Sequence, residues 1–339
     1  MNVVQAENFS LITDEIKNYA NITHCRYFSV DTNTFCIKGD GSVDNFCRSL
    51  QFIEESYCPK PALTILQLNG LKTITSSVLQ KMFKALVEQQ NSFWQEDEHY
   101  CAWFESSFNR FTFFDKKQHI CLHWVENVNT IHKGLFSIPY IHVFSRWLSR
   151  EKYVFIHSAG IGHQTGGILL PSKGGSGKTT TTLSCIGSGL KTIGDDFILL
   201  NYHTFEAFNL YSVAQFERNH AIIENRLKHC IAPYNSHTDE KYQVYMAEHL
   251  PDFLIKSFQV KAIVIPNFTG ETNTMIQPAD AGKILLGIAP STMFALKTPM
   301  SYLSVLGNVS RQLPAYQINT GTKLSAISES LQQLLLTLP

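Results

Sequence analysis

The segment 170–200, LPSKGGSGKTTTTLSCIGSGLKTIGDDFILL, decides how the chain is read. An apolar strand-like run, Gly167 to Leu170, leads into it, and Thr179 to Ser188 carries a helical pattern behind it. Strand, glycine-rich turn and helix in that order are the setting of a phosphate-binding loop, whose usual pattern is Gly-x4-Gly-Lys-Ser/Thr. Gly177, Lys178 and Thr179 match the pattern, Gly174 and Gly175 lie inside the loop, and Ser172 stands where the first Gly normally sits. Small residues let successive backbone N–H groups converge on phosphate oxygens. Ser172, Lys173, Gly174, Gly175, Ser176, Gly177, Lys178, Thr179 and Thr180 are therefore the candidate nucleotide-binding residues. In such a loop the Lys neutralises phosphate charge and the Thr offers its hydroxyl to Mg2+. The expected ligands are ATP and Mg2+, with Thr179 on the metal.

Gly194-Asp195-Asp196 follows, its two carboxylates seventeen and eighteen positions after Lys178. One loop, one helix and one short strand bring the chain back beside the phosphates over that distance. Two adjacent carboxylates, Asp195 and Asp196, can divide the labour, one facing the metal and the other accepting a proton from an attacking hydroxyl. His157 closes the strand-like run Tyr153 to His157, twenty-one residues before Lys178, and is a third candidate. A histidine at a strand end is weak evidence by itself.

The rest of the chain frames this segment. At 339 residues two domains are expected. In the first, Ala62 to Leu68 reads as a strand and Ser76 to Gln89 as an amphipathic helix with Val78, Met82, Phe83 and Leu86 on one face. Arg110 to Phe114 and His119 to Val125 read as strands around a turn. A helix over Ser137 to Arg150, with Pro139 in its first turn, opens the second domain. The boundary is placed near residue 135, giving an N-terminal α+β domain over 1–134 and a nucleotide domain over 135–339. Lys191 to Ile193, Phe197 to Leu200, Lys261 to Pro266 and Tyr316 to Ile318 read as strands, and Ala279 to Ile288 and Lys323 to Leu336 as helices. Strands alternating with helices indicate an α/β or mixed α+β fold.

Composition removes several function classes. Lys plus Arg and Asp plus Glu both number 28, so no basic excess suits the chain to nucleic acid. The N-terminus lacks the pattern of a secretory signal, and no apolar run approaches the roughly 18 residues of a membrane span. The eight cysteines are scattered without a Cys-x-x-Cys pair, which argues against zinc and a disulfide framework and for a cytoplasmic protein. His163, His229, His237 and Cys230 fit no metal-ligand spacing, and Tyr211, Phe216 and Phe258 are better read as core than as a platform for a base.

His157 in IHSAG, the loop PSKGGSGKT and the pair in LKTIGDDFILL resemble, in order and spacing, the bacterial HPr kinase/phosphorylase family. They are most similar to HPr-kinase-related kinases, which share a core with phosphoenolpyruvate carboxykinases. The close resemblance covers roughly residues 150 to 200, with weaker similarity through VKAIVIP and PAYQINTGTKLSAISESLQQLL. It implies a P-loop kinase core and transfer of the ATP γ-phosphate to a hydroxyl of a peptide, a protein or a small molecule. It also implies Asp196 as general base, Asp195 on the metal, His157 near the transferred phosphate, and assembly into a homo-oligomer. The family's acidic, glycine-rich segment with a metal Glu has no clear counterpart; Glu217 and Glu224 are the candidates. Arg218 and Arg226 are the candidates for its downstream arginine. These departures keep open a nucleotide-binding regulatory module, or an NTPase, without kinase activity.

Overall fold

The computed structural model describes residues 6–149, 152–171, 175–217, 227–231 and 241–339. Contacts divide the chain into two compact units, Met1–Pro139 and Tyr140–Pro339. Both are built on large mixed sheets flanked by helices, so the chain is mixed α/β. Among the described residues no helix is long and apolar enough to cross a membrane.

The first unit holds strands β1 (His24–Val30), β2 (Asn33–Gly39), β3 (Glu54–Glu55), β4 (Leu63–Asn69), β5 (Phe93–Glu96), β6 (Tyr100–Glu105), β7 (Arg110–Asp115) and β8 (Ile120–Val125). They form one sheet in the order β3-β1-β2-β4-β8-β7-β6-β5, with β2, β4 and β8 parallel. Strand side chains alternate between faces. One face presents Leu66, Leu68, Phe111, Phe113, Leu122 and Trp124 to helices α1 (Ala6–Asn18) and α3 (Ser77–Gln89). Ser76 caps α3 by accepting from the Leu79 amide, and the buried Glu15 carboxylate of α1 takes the Ser76 amide and the Thr75 hydroxyl. The buried stripe is Leu79, Met82, Phe83 and Leu86, whereas Val78, expected in it, is 50% exposed.

The opposite face buries polar groups. His123 Nδ1 lies 2.6 Å from Gln67 Oε1, and Phe46 of α2 (Ser42–Cys47) packs edge-on to the imidazole at 5.0 Å. Burial, and then the Arg110 charge, push the His123 pKa well below 6.5. The folded chain therefore holds it neutral while the unfolded chain protonates it, so stability is present above pH 6.5 and is lost as pH falls below it. Between about pH 7.5 and about pH 5.5, urea unfolding followed by tryptophan fluorescence should lose up to about 1.4 kcal/mol per unit below 6.5. His123→Gln should flatten that slope; an equal slope in both proteins would sink the assignment.

The second unit contains β9 (Tyr153–His163), β10 (Gly166–Pro171), β11 (Lys191–Gly194), β12 (Phe197–Asn201), β13 (Glu206–Phe208), β16 (Ser257–Phe268), β17 (Met275–Pro278) and β18 (Ala315–Thr320). A separate hairpin pairs β14 (Val213–Glu217) with β15 (Lys241–Tyr245). The main order is β10-β9-β12-β13-β16-β18-β17, and β10 also pairs with β16, closing β10, β9, β12, β13 and β16 into a ring. Two long strands make closure possible. β9 pairs with β12 through 153–157 and with β10 through 158–163, while β16 pairs in turn with β13, β10 and β18. β10, β16 and β18 run parallel, so their C-terminal ends share one rim.

Helices α4 (Ile141–Leu148), α5 (Lys178–Ser184), α6 (Met246–His249), α7 (Ala281–Leu296), α8 (Ser301–Gln312) and α9 (Leu324–Thr337) complete the unit. Two of them are shorter than their sequence patterns. Tyr140, at φ 56°, turns the chain left-handed just before α4, so Pro139 precedes the helix instead of occupying its first turn. The apolar face of Ile141, Phe144, Trp147 and Leu148 is buried as expected. The helix expected to reach Ser188 stops at Ser184, ahead of Gly187 and Gly189, both at positive φ.

Candidate functional site

The site begins with strand register. β11 and β12 both pair with β9, so the link between them, Asp195-Asp196, is stretched along β9. His157 stands directly opposite Phe197, their rings stacked at 5.1 Å, and the Ser158 amide donates to the Asp196 carbonyl at 2.9 Å. Gly194, at φ +128°, makes the turn into the link; its amide donates to Thr192 Oγ1 at 3.0 Å.

A Cβ at Gly194 would stand 2.9 Å from the Tyr211 carbonyl oxygen, in a backbone conformation that L residues rarely adopt. Gly194→Ala should therefore cost about 1–3 kcal/mol in urea unfolding and displace the Asp pair. Wild-type stability in that variant would show that the link relaxes freely.

The two carboxylates then diverge. Asp195, 3% exposed, points toward α5 and accepts the Thr179 hydroxyl at 2.7 Å through Oδ2. Its Oδ1 is buried with no hydrogen-bond partner. Burial pushes its pKa up to about 6, against the pull of Lys178 and of the Thr179 hydroxyl. Asp196 is about a quarter exposed, and its Oδ1 lies 2.8 Å from His157 Nε2 and 3.5 Å from Lys178 Nζ. Burial pushes this carboxyl up too, but the Lys178 ammonium and the His157 imidazole outweigh it and hold it well below the usual carboxylate range. Adjacent acids are thus driven in opposite directions, the pattern expected where two carboxyls divide a task.

His157, Lys178, Thr179, Asp195 and Asp196 are therefore brought together. Of the loop, Gly175 and Gly177 have positive φ, and Ser176 and Thr180 are half-buried. Ser172, Lys173 and Gly174 lie outside the described residues, as do Arg218, Glu224 and Arg226. Glu217 is described only as the backbone end of β14. Tyr211, Phe216 and Phe258 are buried to 2% exposure or less, which leaves no face for a ligand.

Among the described residues no three His, Cys, Asp or Glu side chains gather to hold a metal ion by themselves. Thr179 and Asp195 do suit Mg2+, which takes hard oxygen donors and commonly needs one or two carboxylates plus substrate phosphates. The unpartnered Asp195 Oδ1 is the donor such an ion would use.

Two neighbours of the loop escaped sequence reading. A Cβ built on Gly177 would lie 3.7 Å from Thr320 Oγ1 and 3.8 Å from Phe268 Cβ, at the ends of β18 and β16. Neither residue was given a role from the sequence, although Thr320 lies within PAYQINTGTKLSAISESLQQLL. No protein-family model and no curated protein matches this chain.

Proposed function

We propose that the chain binds ATP with Mg2+ at the loop ending in Gly177-Lys178-Thr179 and transfers the γ-phosphate to a hydroxyl acceptor. The second unit is then a P-loop core of the HPr kinase/phosphoenolpyruvate carboxykinase type. One observation carries this reading: Lys178 and His157 converge on one carboxylate oxygen of Asp196 while Asp195 engages Thr179. Phosphoryl transfer needs little more than positioning, charge neutralisation and a group to take the acceptor proton.

In this scheme Lys178 leaves Asp196 for the phosphate oxygens. Asp196 then loses the strongest influence lowering its pKa and becomes a better base. The acceptor oxygen forms a bond to the γ-phosphorus, the bond to the bridging oxygen breaks, Asp196 takes the hydroxyl proton, and ADP departs. His157 holds the Asp196 carboxylate in place. Thr179 and Asp195 hold Mg2+, which when bound neutralises phosphate charge.

A nucleotide-reading module without transfer is the second reading. It is favoured by the depressed Asp196 pKa, which makes a weak base for as long as Lys178 stays paired to it. One experiment separates the two. Wild type and Lys178→Ala are incubated with γ-labelled ATP, Mg2+ and protein and metabolite fractions of the host cell. Label passing to an acceptor with wild type alone supports transfer. Tight ATP binding without label supports the module, and equal label with both proteins excludes this site as its source.

A further inference from the structure

The phosphate loop has two chemically different flanks. β10 lies between β9 and β16, so its C-terminal end, where the loop begins, is flanked by β9 on one side and β16 on the other. The β9 side carries His157, Asp195 and Asp196. The β16 side carries Phe268 and Thr320, a directly paired couple whose side chains therefore share a face. Phe268 is 57% exposed, and among the described residues no other ring packs against it. Its Cβ nonetheless stands where a Cβ added at Gly177 would meet it at 3.8 Å, ordinary contact distance.

We propose that Phe268 is the platform on which the base of the bound nucleotide stacks. This rests on the nucleotide reading above. A γ-phosphate turned toward Asp196 sends the α-phosphate, ribose and base the other way, to the β16 side. A large aromatic left half in water beside a phosphate site offers an apolar π-face, and purines stack on such faces without needing a specific hydrogen-bond pattern.

The backbone that carries the platform is held by hydrogen bonds. The Thr269 amide donates to the Thr320 carbonyl at 3.1 Å, the Thr322 amide to the Glu271 carbonyl at 2.7 Å, and the Gly321 amide to Thr274 Oγ1 at 3.2 Å. These bonds pin the chain leaving Phe268 to the end of β18. Asn267, one residue earlier, accepts the Thr320 hydroxyl at its carbonyl at 3.4 Å, and its side-chain amide donates to Asn319 at 3.0 Å on the opposite face.

The test compares ATP, CTP and inorganic tripolyphosphate, each with Mg2+, by direct binding to the full chain. Wild type, Phe268→Ala, Phe268→Trp and Lys178→Ala are measured, with thermal unfolding as a fold check. Phe268→Ala should weaken ATP about 5- to 150-fold, the range for one stacked base, while tripolyphosphate affinity stays within about 2-fold. The wild-type preference for ATP over CTP should shrink in Phe268→Ala, and Phe268→Trp should restore it.

Equal loss of ATP and tripolyphosphate in Phe268→Ala would overturn the proposal, since the effect would then belong to the phosphate loop. Unchanged ATP affinity with impaired transfer would also overturn it, assigning Phe268 to the acceptor. If Lys178→Ala weakens tripolyphosphate but Phe268→Ala spares ATP, the platform alone fails. If Lys178→Ala changes neither ligand, the nucleotide reading fails and the platform with it.

Discussion

Asp196→Asn should reduce phosphoryl transfer about 10²- to 10⁴-fold, the usual contribution of a positioned general base. ATP–Mg2+ affinity should change only a few-fold. The asymmetry follows from what each group touches. Asp196 faces Lys178 and His157, whereas Thr179 is engaged by Asp195, so the candidate metal donors survive the change. Asparagine is nearly isosteric and can still meet His157 Nε2, but it can no longer take a proton. Freed from its ion pair, Lys178 should bind phosphate slightly more readily. Single-turnover transfer with labelled ATP, beside equilibrium binding, reads the two effects separately. Transfer near the wild-type rate would remove Asp196 from the role of base.

Lys178→Ala should abolish measurable transfer and weaken ATP about 10- to 150-fold, the loss of one charge-assisted contact worth about 1.5–3 kcal/mol. A second consequence appears without any ligand. Lys178 is the strongest influence lowering Asp196 and also pulls down Asp195. Without it two adjacent carboxylates share a pocket in which burial pushes both pKa values up. Acids with folded pKa values above their unfolded ones lose stability as pH rises through that interval. The variant should therefore be destabilised near neutral pH and regain stability as pH falls from about 6 toward 4. Urea unfolding of both proteins at about pH 7 and about pH 5 checks the sign. A stability difference independent of pH would mean that Lys178 does not govern this pair.

Both expectations turn on residues whose candidacy was legible in sequence for local reasons. The strand before the loop, the Gly-Lys-Thr run and the Asp pair all sit within about thirty residues, where periodicity and turn chemistry are short-range signals. The strands β4, β7 and β8 were readable in the same way, and each lies within about a residue of its pattern. Where local pattern failed, packing or a single backbone choice decided: α3 turns Leu79, not Val78, to the sheet, and left-handed Tyr140 delays α4 past Pro139.

By itself the sequence determined the loop, the chemistry of its side chains and the expectation of a mixed α/β chain, because each depends on neighbours along the chain. Only the tertiary structure decided what those side chains meet. The contact of His157 with Asp196 exists because β9 pairs with β12 in one register, and slipping it by one residue would turn the imidazole to the other face. The ring closes through pairing of β10 with β16, about ninety residues apart, and that pairing sets the end of β16, with Phe268, beside the loop. Long-range register is set by the fit of whole sheets and helices, so the flanks of the Gly-Lys-Thr loop were invisible until the chain was folded.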